Sequence, residues 1–301
     1  MDNEKPLLSA KHDVIFRLFF ADERNAEDLI NLLKSILDLP DDDYNDIEVS
    51  DPHLLPEYVG DKMAVIDVKL RTKSRKIIQI EIQLKVTAAL KSRIIFYSSK
   101  LITEQMGRGD NFGTINKVIS IIITDEKLIK ESTRYHHHFR FYDPDTNVEF
   151  TDLIEIHTIE LQKLPKITDG TQLYGWAKFI AAETEEELEM AVQANPQVRR
   201  AAVKLRELSA DEKARDMLER REKGLRDMAT FIVEAEQRGE QRGEQRGEQR
   251  GEQRGEQRGR EEKALEIARN LLAENAPIEQ IVRVAKLTRE EVEALSNNQR
   301  G

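Results

Sequence analysis

The alternation of apolar and polar positions divides the chain into a mixed α/β part and a longer helical, charged part. Leu29, Leu32, Leu33, Ile36 and Leu37 recur at helical spacing and Pro40 follows, which predicts helices across 12–37. The acidic stretch from Asp41 to Asp51 reads as a loop. Strands are expected at 54–59, 63–71 and 76–84. A helix over about 87–106 carries Leu90, Ile94, Tyr97 and Leu101 on one face. Lys117 to Thr124, rich in Ile and Val, reads as a buried strand. Two more strands, 135–142 and 147–161, are joined by the turn Asp143-Pro144-Asp145-Thr146. From Gln172 to about Val233 the pattern is helical and charged.

A tandem repeat follows. Glu-Gln-Arg-Gly occurs six times without interruption, from Glu236 to Gly259. On a helix this spacing sets Glu against Glu and Arg against Arg at i,i+4, with no opposite charges at i+3 or i+4. Each interior Gly costs about 1 kcal/mol relative to Ala. The expectation is a solvated spacer, at most a marginal helix. Residues 261–296 read as a small helical module. Ala264, Ile267, Ala268, Leu271 and Leu272 form one stripe. Pro277 opens a second helix, and Thr288 with Glu291 makes a capping box for a third. The spacing is that of a helix-turn-helix, but Glu290, Glu291 and Glu293 on the would-be recognition helix would meet phosphates badly, which favours protein docking. The expected domains are 1–161, 162–235, 236–259 and 260–301.

The chain of 301 residues has no Cys, so disulfides, thiolate metal sites and a Cys nucleophile are excluded. No signal peptide or membrane-spanning run is read, and the expectation is a cytoplasmic protein without membrane contact. A Gly-rich phosphate loop is missing, which argues against a nucleotide cofactor. Net charge is −10. Its distribution changes the picture: from Lys62 to Arg108 eleven bases stand against three acids, Asp67, Glu81 and Glu104. A local excess of eight positive charges suits either a polyanion-facing surface or a protected sheet edge.

Strands 63–71 and 76–84 form a hairpin centred on Ser74, in which partners sum to 148. Asp67 then opposes Glu81, and Gln83 shares their face. Like charges so placed are destabilising and call for a cation. Two close carboxylates with a backbone carbonyl and waters are what Mg²⁺ prefers, and such an ion lowers the pKa of water and offsets charge growing on a phosphate. The residues alone leave a second reading: the acids pair with Lys69, Lys85 or Arg93, or a bulge near Ser74 separates them.

The order Asp67, thirteen residues, then Glu81-Ile82-Gln83 resembles the PD-(D/E)XK nuclease signature, and more narrowly the recombination-promoting nuclease and transposase family of that superfamily. Lys11, Asp13, Phe16, Arg17 and Phe19 resemble its N-terminal helix motif. Arg93, Tyr97, Gln105 and Gly109 resemble its helix after the catalytic strand, and Glu160 with Leu161 its closing motif. The resemblance covers about 9–161. It implies a restriction-endonuclease-like α/β core, αβββαβ, with a helical C-terminal extension, and divalent-dependent DNA cleavage. Asp67 and Glu81 would be metal ligands with the Ile82 carbonyl, and Mg²⁺ the expected ion. Gln83 stands where the superfamily has Lys, and Ile66 where its name has Pro. Gln supplies no charge, so orienting the attacking water is its implied role.

Lys73, Arg75, Lys76, Lys91, Arg93 and Tyr97 are candidate DNA contacts, although Tyr97 equally reads as packing and Arg93 as a partner of Glu81. Asp13 reads as an N-cap or salt bridge before an accessory acid. Of His136, His137 and His138, strand alternation lets at most two converge, and a surface strand is the stronger reading. Two function classes remain: a metal-dependent DNA endonuclease acting in recombination or defence, and a nuclease-fold protein with little catalysis that binds DNA or assembles. The module's short apolar stripes favour self-association, with a dimer expected.

Overall fold

The computed structural model describes residues 5–45, 47–50, 53–54, 64–65 and 67–298. The chain divides into two compact units, Met1–Lys223 and Gly224–Gly301.

In the first unit, helices α1 (Asp13–Phe20) and α2 (Ala26–Ile36) fall within the 12–37 region where helices are expected. They are separated because the Asp22 carboxylate accepts the Arg24 N–H and opens a 3₁₀ turn at Glu23–Asn25. The acidic stretch expected as a loop instead forms α3 (Asp41–Asn45) and β1 (Glu48–Ser50). Asp41, Asp42 and Asp43 sit in the first turn of α3, where the helix dipole favours them. The expected strand at 54–59 is described only at its start. There β2 (His53–Leu54) pairs with β3 (Ala64–Val65), and 55–59 lie outside the described residues. The expected strand 63–71 is represented by β3 and by β4 (Val68–Arg71); Met63 and Ile66 lie outside the described residues.

Next come β5 (Ile77–Gln83), α4 (Leu90–Thr103), β6 (Val118–Thr124), β7 (His136–Tyr142) and β8 (Glu149–Glu160). The larger sheet runs β1-β4-β5-β6-β8-β7. β5, β6 and β8 are mutually parallel, whereas β1, β4 and β7 join antiparallel. This is the α/β core expected, widened by β1 on one side.

Alternation assigns the two sheet faces. Ile78, Ile80, Ile82, Ile119, Ile121 and Ile123 join the main core with Phe16, Phe19 and Phe20 of α1 and with α2. Helices α5 (Gln172–Ala181), α6 (Glu185–Ala194) and α7 (Val198–Ala210) complete that layer. Phe20, Trp176 and Phe179 stack there, ring centroids 5.7 to 6.4 Å apart. Gly175 is required at the α5–α6 approach, since a Cβ there would lie 2.2 Å from Asn195 Cβ. On the other face Ile77, Val118 and Ile122 pack under Leu90, Ile94 and Leu101 of α4.

Helix α8 (Glu212–Ala273) includes the whole repeat, which the sequence favours as a spacer. The expected pairing deficit is nonetheless visible. The i,i+4 ion pairs Arg238–Glu234 and Arg260–Glu256 each use a residue outside the repeat. A Cβ on any repeat glycine would meet nothing within 4 Å, so no packing compensates for them.

In the second unit, the end of α8 packs with α9 (Ile278–Ala285) and α10 (Arg289–Asn298) around Ala268, Ile281, Ala285 and Val292. Thr288 and Glu291 make the expected reciprocal cap: the Thr288 N–H donates to Glu291 Oε2 at 2.7 Å and the Glu291 N–H to Thr288 Oγ1 at 3.3 Å. Among the described residues no helix is long and apolar enough to cross a membrane.

Candidate active site

The β4–β5 turn sets the geometry. Thr72 N–H donates to the Lys76 carbonyl and Arg75 N–H to the Thr72 carbonyl, with Arg75 at φ 65°. This is a three-residue hairpin turn closing through a left-handed position. Its ladder pairs Val68 with Ile80 and Arg71 with Ile77, so every pair sums to 148 as expected. One step further the same register sets Asp67 opposite Glu81. Asp67 lies at a bend just before β4, and its Oδ2 accepts the Ile82 N–H at 2.8 Å. Of the implied ligand Ile82, the amide is thus occupied by Asp67.

Glu81 is 3% exposed, and its Oε1 has no hydrogen-bond partner. Its Oε2 is 3.8 Å from an Arg93 terminal nitrogen. Burial, countered by Arg93 and reinforced by Asp67, pushes the Glu81 carboxyl up to about 7. Burial also pushes Asp67 up to about 6; the Ile82 N–H, Arg17 and Arg221 oppose that rise and Asp13 adds to it. Burial is thus the main reason both carboxyls sit above their ordinary range, and Glu81 adds a buried orphan oxygen. A hard divalent cation would supply countercharge here, and carboxylate oxygens are donors that such an ion takes.

Gln83 shares the Glu81 face two residues on and is partly exposed. On the same face Gln79 donates to Ser120 Oγ at 2.6 Å, and Ser98 of α4 lies 2.8 Å from Ser120. This buried polar seam between α4 and the sheet was not foreseen, since it links positions 22 and 41 residues apart. Arg93 Nε is also buried without a partner. Tyr97, one turn along, packs by Ile77 and Leu101 and edges onto Phe96 at 5.6 Å.

The candidate DNA contacts separate into two places. Lys91 and Arg93 lie in the first turn of α4, joined by a short loop to the end of β5 that bears Gln83. Lys73, Arg75 and Lys76 occupy the hairpin turn, roughly 20 Å from Asp67 at about 3.4 Å per residue. Lys76 Nζ is 2.6 Å from Asp43 Oδ2. Other members of the basic tract are paired too, Lys69 with Glu104 at 3.3 Å and Lys85 with Glu126 at 2.9 Å. Arg71, Arg75, Lys91 and Arg108 make no ion pair among the described residues.

Asp13 is the first residue of α1, with His12 at the N-cap, and its Oδ2 receives the Arg221 guanidinium at 2.6 and 2.8 Å. Arg221, from the start of α8, was missed because no local pattern marks it. Lys11 bridges Asp125 and Glu183. Glu160 is fully buried and accepts the N–H groups of Leu128 and Ile129 at 2.8 and 3.1 Å, which anchors the loop after β6.

Among curated proteins and among solved structures nothing matches the chain significantly. A family model described as PD-(D/E)XK nuclease family transposase matches residues 10–235, from the start of α1 through the β4–β5 hairpin to α8. With a match over most of its length, the chain belongs to the PD-(D/E)XK nuclease family transposases.

Proposed function

We propose that the chain is a divalent-metal-dependent DNA endonuclease that hydrolyses phosphodiester bonds in recombination or defence. The observation that carries the reading is the Asp67–Glu81 pair at the hairpin end, with Glu81 Oε1 buried and unpartnered. Asp67 and Glu81 would hold the ion together with the Ile82 carbonyl. A bound ion would supply countercharge for the phosphate and acidify the attacking water.

The protein groups divide the remaining work. Asp67 keeps its orientation through the Ile82 N–H. Gln83 has a neutral amide that can accept from and donate to water, so it orients the nucleophile without supplying charge. That charge falls to Arg93, which lies beside Glu81 with its Nε unpartnered. Lys91 and Arg93 contact phosphates near the scissile bond. Lys73 and Arg75 contact the duplex roughly six base pairs away, since 20 Å spans about that many steps at 3.4 Å per pair.

Supercoiled plasmid incubated with the untagged full chain tests this. Nicked or linear product with Mg²⁺, abolished by chelation, is expected. DNA retention without cleavage under both conditions would overturn it and leave a binding or assembly role.

A further inference from the structure

Four of the six histidines fall on one strand pair, β7–β8. His138 opposes His157 across the ladder, and His136 opposes Ile159 two residues away. His136, His138 and His157 therefore share a face, and Glu155, two residues before His157, shares it too. Through the register Ile80–Ile121–His157, this is the face opposite to Glu81. His137 points the other way, towards Glu160.

The ring nitrogens converge on one oxygen. His138 Nε2 is 2.7 Å and His157 Nε2 2.9 Å from Glu155 Oε1. One ligand atom from each of the three residues lies within 4.8 Å of the others. Lys117 engages Glu155 Oε2, leaving Oε1 to the imidazoles. His157 Nδ1 is 3.0 Å from His136 Nε2. His157 and Glu155 are buried, whereas the His138 side chain is 39% exposed and opens the cluster to solvent.

We propose that His138, Glu155 and His157 bind a borderline divalent transition-metal ion, with Zn²⁺ as its representative, on the sheet face opposite the Asp67–Glu81 site. Two imidazoles and a carboxylate suit such an ion, whereas a set of oxygens alone suits Mg²⁺. Ligand bonds of about 2.0–2.1 Å in tetrahedral geometry set donors roughly 3.3 Å apart, so the present contacts widen by about half an ångström. Each ligating imidazole offers its Nε2 lone pair, so a proton held on that nitrogen shifts to Nδ1 or leaves to solvent. His157 then carries its proton on Nδ1 and donates it to His136 Nε2, the outer hydrogen bond that fixes a ligating imidazole. Solvent beside His138 fills the remaining position. This assignment stands independently of the proposed nuclease chemistry.

Calorimetry on the untagged full chain carrying Asp67→Asn and Glu81→Gln isolates the cluster from the acidic pair. One equivalent of Zn²⁺ is expected, undiminished by millimolar Mg²⁺. Adding His138→Ala, at the exposed ligand, should weaken binding more than tenfold with the circular dichroism spectrum retained. Glu155→Gln should do the same, and His136→Ala should weaken it by about 10–100-fold. Co²⁺ in place of Zn²⁺ should give a visible absorption band that His138→Ala removes. Absence of a Zn²⁺ equivalent in the Asp67/Glu81 double variant would overturn the proposal. So would unchanged affinity in a folded His138→Ala chain.

Discussion

Individual side chains explain why the acidic pair would favour a bound cation. In an unfolded chain both carboxyls titrate near 4. In the fold they rise to about 6 for Asp67 and about 7 for Glu81. The folded state therefore binds more protons across pH 4 to 7, and stability falls as pH rises through that window. Denaturant melts in chelator should show this loss, amounting to a few kcal/mol for the pair. Glu81→Gln should flatten the slope and raise metal-free stability at pH 8, while Mg²⁺ should stabilise the parent and not the variant. Equal slopes for parent and variant would show that Glu81 is not the group responsible. The hairpin register that places Asp67, Glu81 and Gln83 was legible because it follows from one turn. Arg221 beside Asp13 was not, as 208 residues separate them and a guanidinium on a charged helix carries no local signal. The histidines were half legible. Alternation gives the shared face of His136 and His138, but Glu155 and His157 enter only through the β7–β8 register, which shifts between Phe139 and Phe141.

Among the elements, the hairpin is held from outside. Asp43 of α3 accepts the Ser74 N–H at 3.1 Å and the Lys76 ammonium at 2.6 Å. Lys76 and Ser74 hold the Asp43 carboxyl below its usual range although burial opposes them. Asp43→Ala should destabilise the first unit by about 1–3 kcal/mol by leaving these donors unpaired, measured as a lowered urea midpoint. Asp43 was hidden in the sequence because an Asp-rich run looks like solvated loop, and β1 is too short and polar to show a period. The repeat presents the opposite case. Its helix has no intra-repeat i,i+4 ion pair among the described residues and no packing around its glycines. Amide exchange across 236–259 should be far faster than in β5 or β6, and Gly→Ala at the repeat glycines should slow it, each change favouring helix by about 1 kcal/mol. Protection of the unsubstituted repeat equal to that of the core would require a partner along its length.

Across the whole molecule, the family match ends at residue 235, just before the repeat, and the candidate site residues lie within unit 1–223. We expect the C-terminal part to govern assembly. Truncation after Ala235 should lower the oligomeric mass seen by light scattering and reduce double-strand breakage while sparing nicking. Unchanged mass in the truncated chain would refute that division. Binding to duplex DNA should weaken steeply with salt, and losing Lys91 should reduce the log–log slope by about 0.9. The basic tract was legible in the sequence despite the net charge of −10, whereas the ion pairs that neutralise several of its members were not. The proposed cleavage depends on Asp67 and Glu81. Plasmid nicking with Mg²⁺ should therefore be compared for the parent, Asp67→Ala and Glu81→Ala, each checked for a cooperative melt. Nicking by the parent and its loss by at least a hundredfold in both folded variants is the predicted result. Parent-level nicking in either folded variant would contradict it.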